Sequence, residues 1–378
     1  MVEKATIENF LYSLHPSTWN HLIKSSSTKT VANAYLFYGS PGSGKEAIAI
    51  KFAQLLNCDN KNGFPCYNCS SCSRFKLLHH EKMKIIIPLP VPQKSLAKSE
   101  NIEASSDDYS DQLIQKSKDI FFKMNISKSN RILIQSIKAL KKTFNLSQDS
   151  KGRNMVLIFD AHLLSAGQGE SGNALLKILE EPPANTSFIL VSDYRSLMLE
   201  TLASRCQQLI FKPLSDSFIS EYLNRFKITK NDSNIITSLS NGNINIAKKL
   251  IEYSALKAVD EIEKLIESIL SADSRMWRKF IQDFSRVGQN NTEDFKFKFN
   301  LLILWFYNAQ KIKVGDFNDQ NSFVFFDKIN VFNIKYPNAN LLSIVMCFED
   351  AIDSLGKNLH MPLILMGLLI NIQENIKN

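Results

Sequence analysis

The chain predicts an α/β P-loop domain built on a parallel sheet, carrying a cysteine-rich insertion and followed by two all-helical domains. Three observations carry that prediction. A glycine-rich loop lies between a strand-like run and a helix-like run, apolar strand-like runs alternate with helical stretches up to residue 212, and helical periodicity takes over from Pro213 onward. A length of 378 residues suits two or three domains, and we place them at 1–212, 213–252 and 253–378.

In chain order, a leading helix over Ser17–Lys24 precedes the apolar, aromatic run Ala34–Tyr38. That run enters Gly39-Ser40-Pro41-Gly42-Ser43-Gly44-Lys45, and Glu46–Leu56 then reads as a helix. Further β-type runs occur at Ile85–Ile87, Met155–Phe159, Ser187–Val191 and Gln208–Phe211, with helices at Arg131–Phe144 and Ser171–Leu179 between them. Such alternation implies parallel strands covered by helices on both faces. Between Pro88 and Asn130 the composition shifts to Ser, Lys and Asp, and we read an insertion or mobile loop holding one helix over Tyr109–Met124. Beyond Pro213 a short helical unit reaches about Ile251, and a longer one runs from Ala255 to the C-terminus.

The hydrophobic fraction of 44% and charged fraction of 22% are those of a globular protein. The longest apolar runs, near Leu301–Tyr307 and Met361–Ile370, are shorter than the ~18 residues a membrane span needs. Met1–Phe10 mixes both charge signs without an apolar stretch, so a cytoplasmic chain is expected. The net charge of +8 suits a polyanion such as DNA and equally suits solubility alone.

Four motifs carry chemistry. Gly39, Ser40, Pro41, Gly42, Ser43, Gly44 and Lys45 fit the first seven positions of a P-loop, whose backbone N–H groups converge on phosphates at a helix N-terminus while the lysine adds charge. ATP or ADP is the nucleotide such a loop would take. The eighth position, where a hydroxyl normally ligates Mg²⁺, is Glu46, and its carboxylate works against Mg²⁺ and tight nucleotide binding. The strand Met155–Phe159 ends in Asp160, placed to hold a metal's water shell, but Ala161 follows where many ATPases have a water-activating Glu. His162 beside them is read as a packing or hydrogen-bonding residue.

Cys58, Cys66, Cys69 and Cys72, within fifteen residues, have the spacing of a closed structural zinc site, with four thiolates meeting one Zn²⁺ at about 2.3 Å. Cys206 and Cys347 stand alone, so this is a metal-site distribution and not a disulfide framework. Ser204-Arg205-Cys206 lies between a helix and the strand Gln208–Phe211, and Arg205 taken alone reads as a salt-bridged surface residue. Arg195 and the basic cluster Lys138, Lys141 and Lys142 receive the same solvated reading, although the cluster could touch DNA.

The combination resembles the bacterial clamp-loader family, the gamma/tau and delta-prime subunits of DNA polymerase III within the AAA+ superfamily. The matching residues are Ala34-Tyr35-Leu36-Phe37, the P-loop, the four cysteines after the P-loop helix, Asn173-Ala174-Leu175-Leu176-Lys177-Ile178-Leu179-Glu180-Glu181-Pro182-Pro183, and Ser204-Arg205-Cys206. They span roughly residues 30 to 215, and the helical remainder matches in layout as a small lid followed by a collar.

The resemblance implies that Arg205 is an arginine finger reaching the ATP of the adjacent subunit. It places Ser192 or Asp193 in the sensor region and implies a lid arginine within Gly242-Asn243-Ile244-Asn245-Ile246-Ala247, where Ile246 stands. Glu46, Ala161 and Ile246 together imply little or no ATPase activity of the chain's own. The resemblance implies a delta-prime-like member of a pentameric ring with gamma/tau and delta subunits, acting on the sliding clamp and primer–template DNA; polymerase activity would belong to the whole complex. The rivals are an ATP-hydrolysing gamma/tau-like motor, a small-metabolite P-loop kinase, and a zinc-dependent DNA-binding module.

Overall fold

Five strands, β1 (Ala34–Gly39), β2 (Met83–Ile86), β3 (Asn154–Ile158), β4 (Thr186–Ser192) and β5 (Gln207–Phe211), form one parallel sheet in the order β2-β3-β4-β1-β5. This computed structural model describes residues 11–28, 30–60, 63–91, 100–126, 129–146, 152–315, 324–355, 357 and 359–377. The central position of β4 explains its sequence: every residue from Thr186 to Ser192 is buried, so an unbroken apolar run suits it better than alternation. β5 lies at an edge and leaves Gln207, Gln208 and Ile210 exposed.

The first helices are α1 (Pro16–Ser27), α2 (Lys45–Leu56) and α3 (Ser70–Lys76). α2 is buried almost all round, with Ile48, Phe52 and Leu55 against the sheet region, which is why its sequence carries so little amphipathic contrast. α4 spans Glu100–Lys118.

The Pro88–Asn130 segment differs from the expected mobile loop. Residues 92–99 and 127–128 lie outside the described residues, but the rest is a helix and a docked turn with Leu113, Phe121, Met124 and Ile126 buried. The helix ends at Lys118, earlier than the expected Met124, where the Asp119 carboxylate accepts from Phe121 N–H at 3.0 Å and makes an Asx turn.

α5 (Ile134–Leu146) starts after the expected Arg131. The backbone of Arg131 and Ile132 is engaged elsewhere, accepting from Leu89 N–H and donating to Leu163 C=O. The side chains of Lys141 and Lys142 lie outside the described residues, and Lys138 is exposed. α6 (Glu170–Glu180) and α7 (Glu200–Ala203) complete this side of the fold.

The chain divides into two compact units. The first holds residues up to Phe218 together with Gly242–Asn245, and the second holds Ile219–Asn241 and Ile246–Asn378. The remaining helices are α8 (Asp216–Leu223), α9 (Lys230–Ser240), α10 (Ile244–Tyr253), α11 (Ala255–Leu270), α12 (Ser274–Asn290), α13 (Thr292–Lys313), α14 (Phe326–Lys335), α15 (Leu341–Asp353) and α16 (Met361–Lys377). The second unit is built around α13, which buries Phe295, Phe299, Leu302 and Phe306 against α12, α14 and α15. Phe284, Phe295, Phe299 and Phe348 form a chain of ring contacts through this core, with centroids 4.0 to 5.8 Å apart. Among the described residues no helix is long and apolar enough to cross a membrane.

Candidate functional site

β1 delivers the chain to the loop Gly39–Gly44, and α2 starts at Lys45. Two glycines are dictated by contact. Gly39 has φ +138°, and a Cβ there would lie 2.0 Å from Phe211 C=O; Gly42 has φ +65°, and a Cβ would lie 1.8 Å from Asn243 Oδ1. The second contact brings Gly242–Asn245 onto the loop, where Ile244 N–H donates to Gly42 C=O at 3.1 Å. His15 holds the loop from the other side, its Nε2 lying 2.8 Å from Ser43 C=O.

Lys45 is 4% exposed and turned back on its own loop. Its ammonium donates to Gly39 C=O at 2.9 Å and Ser40 C=O at 2.6 Å, and pairs with Asp193 at 2.7 Å. Burial lowers the lysine's pKa, and Asp193 draws it back up.

Glu46 meets Lys116 at 2.5 Å and Lys123 at 3.1 Å, and Lys123 also meets Asp160 at 2.6 Å. Both lysines come from the segment read as an insertion. Burial pushes the Glu46 carboxyl up, but the two ammoniums outweigh it and hold the group down at about 2. Burial likewise works against the charge on Lys123, yet Glu46 and Asp160 raise its pKa well above the ordinary value. Glu46 at the start of α2 and Asp160 just beyond β3 are therefore joined by a single ammonium.

His162 lies 3.3 Å from Ser192 Oγ and makes an edge contact with Tyr194, while burial lowers its pKa. Ala161 is buried with no group to act on water.

The cysteines converge. The sulfurs of Cys58, Cys66, Cys69 and Cys72 all lie within 4.8 Å of one another, near the ~3.8 Å edge of a zinc–thiolate tetrahedron. Cys66 N–H donates to Cys58 Sγ, and Cys72 N–H donates to Cys69 Sγ, which also caps α3. The backbone N–H groups of Asn68 and Cys69 pull Cys66 down to about 6. Supporting bonds tie the cluster to α2: Gln54 Nε2 donates to Cys72 C=O at 3.2 Å, and Ser71 Oγ donates to Asn57 C=O at 2.7 Å. Asn57 in turn reaches Arg153, the residue just before β3, donating to its carbonyl and accepting from its N–H. The four-thiolate set is compatible with zinc.

Arg205 is exposed beyond α7. Its guanidinium donates to Glu180 at 2.9 Å and to Thr201 C=O at 3.0 Å, so it is held at the surface by the last residue of α6. Arg195 pairs with Glu200 at 3.0 Å. Nothing in the sequence singles out Lys116, Lys123, Gln54 or Asn57, and Glu180 stands out there only as part of the stretch Asn173–Pro183. Glu46 was the available signal for the first two, since a buried carboxylate demands a cation.

The chain is 22% identical over 364 residues to "DNA polymerase III subunit delta'" of Bacillus subtilis, covering 96% of this chain and 97% of the relative. It is 26% identical over 249 residues to "DNA polymerase III subunit tau" of the same organism, covering 64% of this chain and 36% of that one. It is also 28% identical over 251 residues to "DNA polymerase III subunit gamma" of Buchnera aphidicola, covering 64% and 55%. The family described as "DNA polymerase III, delta subunit" matches residues 14–215, more than half of the 378. A match of that extent, across the P-loop, the cysteine cluster and the arginine alike, establishes that this chain belongs to the DNA polymerase III delta subunit family.

Proposed function

We propose that the chain serves as a delta'-like clamp-loader subunit, presenting Arg205 to nucleotide held by a neighbouring subunit while hydrolysing little or none itself. The observation that carries this reading is the setting of Arg205: an exposed guanidinium, positioned by Glu180, that uses two of its five N–H donors within the chain. A planar fork so held suits two phosphate oxygens of a partner. Glu46 and Ala161 leave the chain's own site without the hydroxyl and carboxylate that turnover requires, and Ile246 occupies the lid position. Residues 1–212 would act as the AAA+ domain, 213–252 as a lid and 253–378 as the collar. The partners would be gamma/tau and delta subunits, the sliding clamp and primer–template DNA, with Zn²⁺ held for structure by Cys58, Cys66, Cys69 and Cys72.

In the reconstituted complex, Arg205→Ala should slow hydrolysis at the adjacent site by about 10³-fold or more, with a smaller fall in the total rate because other sites keep their own arginines. Arg205→Lys should rescue poorly, because it keeps the charge and loses the fork. The melt of the isolated subunit should move little, since an exposed ion pair contributes about 1 kcal/mol at most. Unchanged turnover in a normally assembled complex would remove the finger reading. A motor role is favoured by the intact Gly39–Lys45 and by Asp160, and sustained ATP turnover by the chain alone would promote it.

A further inference from the structure

We propose that the P-loop is a closed joint, sealed by the chain's own segment Tyr109–Ile126, with the Lys123 ammonium standing where a P-loop holds its metal ion. The proposal concerns the chain's own nucleotide site and does not depend on what Arg205 does to a neighbour.

Lys123 bridges the two carboxylates that frame that position, 3.1 Å from Glu46 and 2.6 Å from Asp160. A divalent ion and this ammonium cannot share the place, because each needs the same oxygens. Lys116 strengthens the seal: it is 1% exposed, pairs with Glu46 at 2.5 Å and donates to Phe122 C=O at 2.6 Å. The segment is anchored again where Tyr109 Oη donates to Ile85 C=O at 2.8 Å.

Three lysines thus face three carboxylates, with Lys45 and Asp193 completing the set. The cluster is neutral in sum, and each member has a partner. Phosphate would have to take Lys45 from Asp193, and its metal would have to displace Lys123, leaving buried charge unpaired. The residue that defeats the metal, Glu46, is the one that recruits the lysines. These contacts pin the helix and turn to the loop and to the sheet.

Full-length chain titrated with a fluorescent ATP analogue and Mg²⁺ should show no saturable binding into the millimolar range, and Mg-ATP should not move its melt. Saturable micromolar binding by the wild-type chain would overturn the proposal. Lys123→Met combined with Glu46→Thr, which removes the bridge and supplies the missing hydroxyl, should tighten nucleotide binding at least tenfold; a folded double variant that binds no better would also overturn it. Acetic anhydride labelling of the wild-type chain keeps the test open if that variant fails to fold. Lys116 should react at least tenfold more slowly than exposed Lys138, and equal reactivity would show that the segment does not seal the loop in solution.

Discussion

Glu46 occupies a position whose usual residue is a small hydroxyl, and the cost of that change is met by two lysines seventy or more positions away in sequence. A buried carboxylate with two ammonium partners is stable only while it is ionised. Its folded-state pKa of about 2 lies below the ordinary 4.5, so its contribution is complete above about pH 5 and is lost as the pH falls through the folded value. The shift corresponds to roughly 3 kcal/mol. Denaturant unfolding compared at about pH 6 and pH 3 should show roughly half or more of that loss in the wild-type chain and much less of it in Glu46→Gln. Glu46→Ala, which strands Lys116 in the interior, should destabilise the chain by about 3 kcal/mol or more near neutral pH. A change under about 1 kcal/mol would mean that the cluster contributes little to folding.

At the scale of elements, the cysteine module is a short structure stapled onto α2. Its one helix, α3, has seven residues, too few to persist by helix propensity. Four converging thiols and the bonds through Gln54, Ser71 and Asn57 add to the small buried core of Phe75 and Leu78 there. Chain purified without added metal should carry about one Zn²⁺, and Cys69→Ser with Cys72→Ser should bring that near zero. Chelation should lower the melting temperature, because metal binding supplies folding free energy to small sites of this kind. Full metal-free stability, with four titratable thiols in the folded chain, would refute a structural zinc. The lesson of α4 is related: a polar segment ending in a turn is ordered by the few groups it buries, Leu113, Lys116, Phe121 and Met124, and not by periodicity.

At the scale of the molecule, the second unit leaves apolar side chains facing outward in helical register. On α15 these are Leu342 and Met346, and on α16 Leu363, Met366 and Ile370, with Leu363 70% exposed. Spacings of four on one helix and of three and four on the other put each set on one stripe. Exposed apolar stripes of this kind mark interaction surfaces. Under the collar reading, Leu363→Asp with Met346→Asp should weaken assembly with gamma/tau and delta at least tenfold while shifting the subunit's own melt little, since neither side chain belongs to its core. Co-elution of the reconstituted complex on size exclusion checks this, and wild-type assembly by the double variant would place the ring contacts elsewhere.

Some of this protein was decided by local pattern. Alternating apolar runs and helices specify parallel strands because a strand buried on both faces must be apolar throughout, and Ala34–Tyr38, Met155–Phe159 and Ser187–Val191 became the interior strands β1, β3 and β4. Glycine spacing determined a loop that only glycine can enter at Gly39 and Gly42, and cysteine spacing determined that four sulfurs would meet. Tertiary structure alone decided what the loop holds. Lys116 and Lys123 sit in a segment with no motif, and nothing local distinguishes them from solvated lysines such as Lys138. Their pairing with Glu46 and Asp160 depends on a helix and turn folding back over the sheet, and so does the link between Arg205 and Glu180 depend on two distant helix ends meeting. Charge pairing is set by distance in space and by exclusion of water, and a linear sequence encodes neither until the chain has packed.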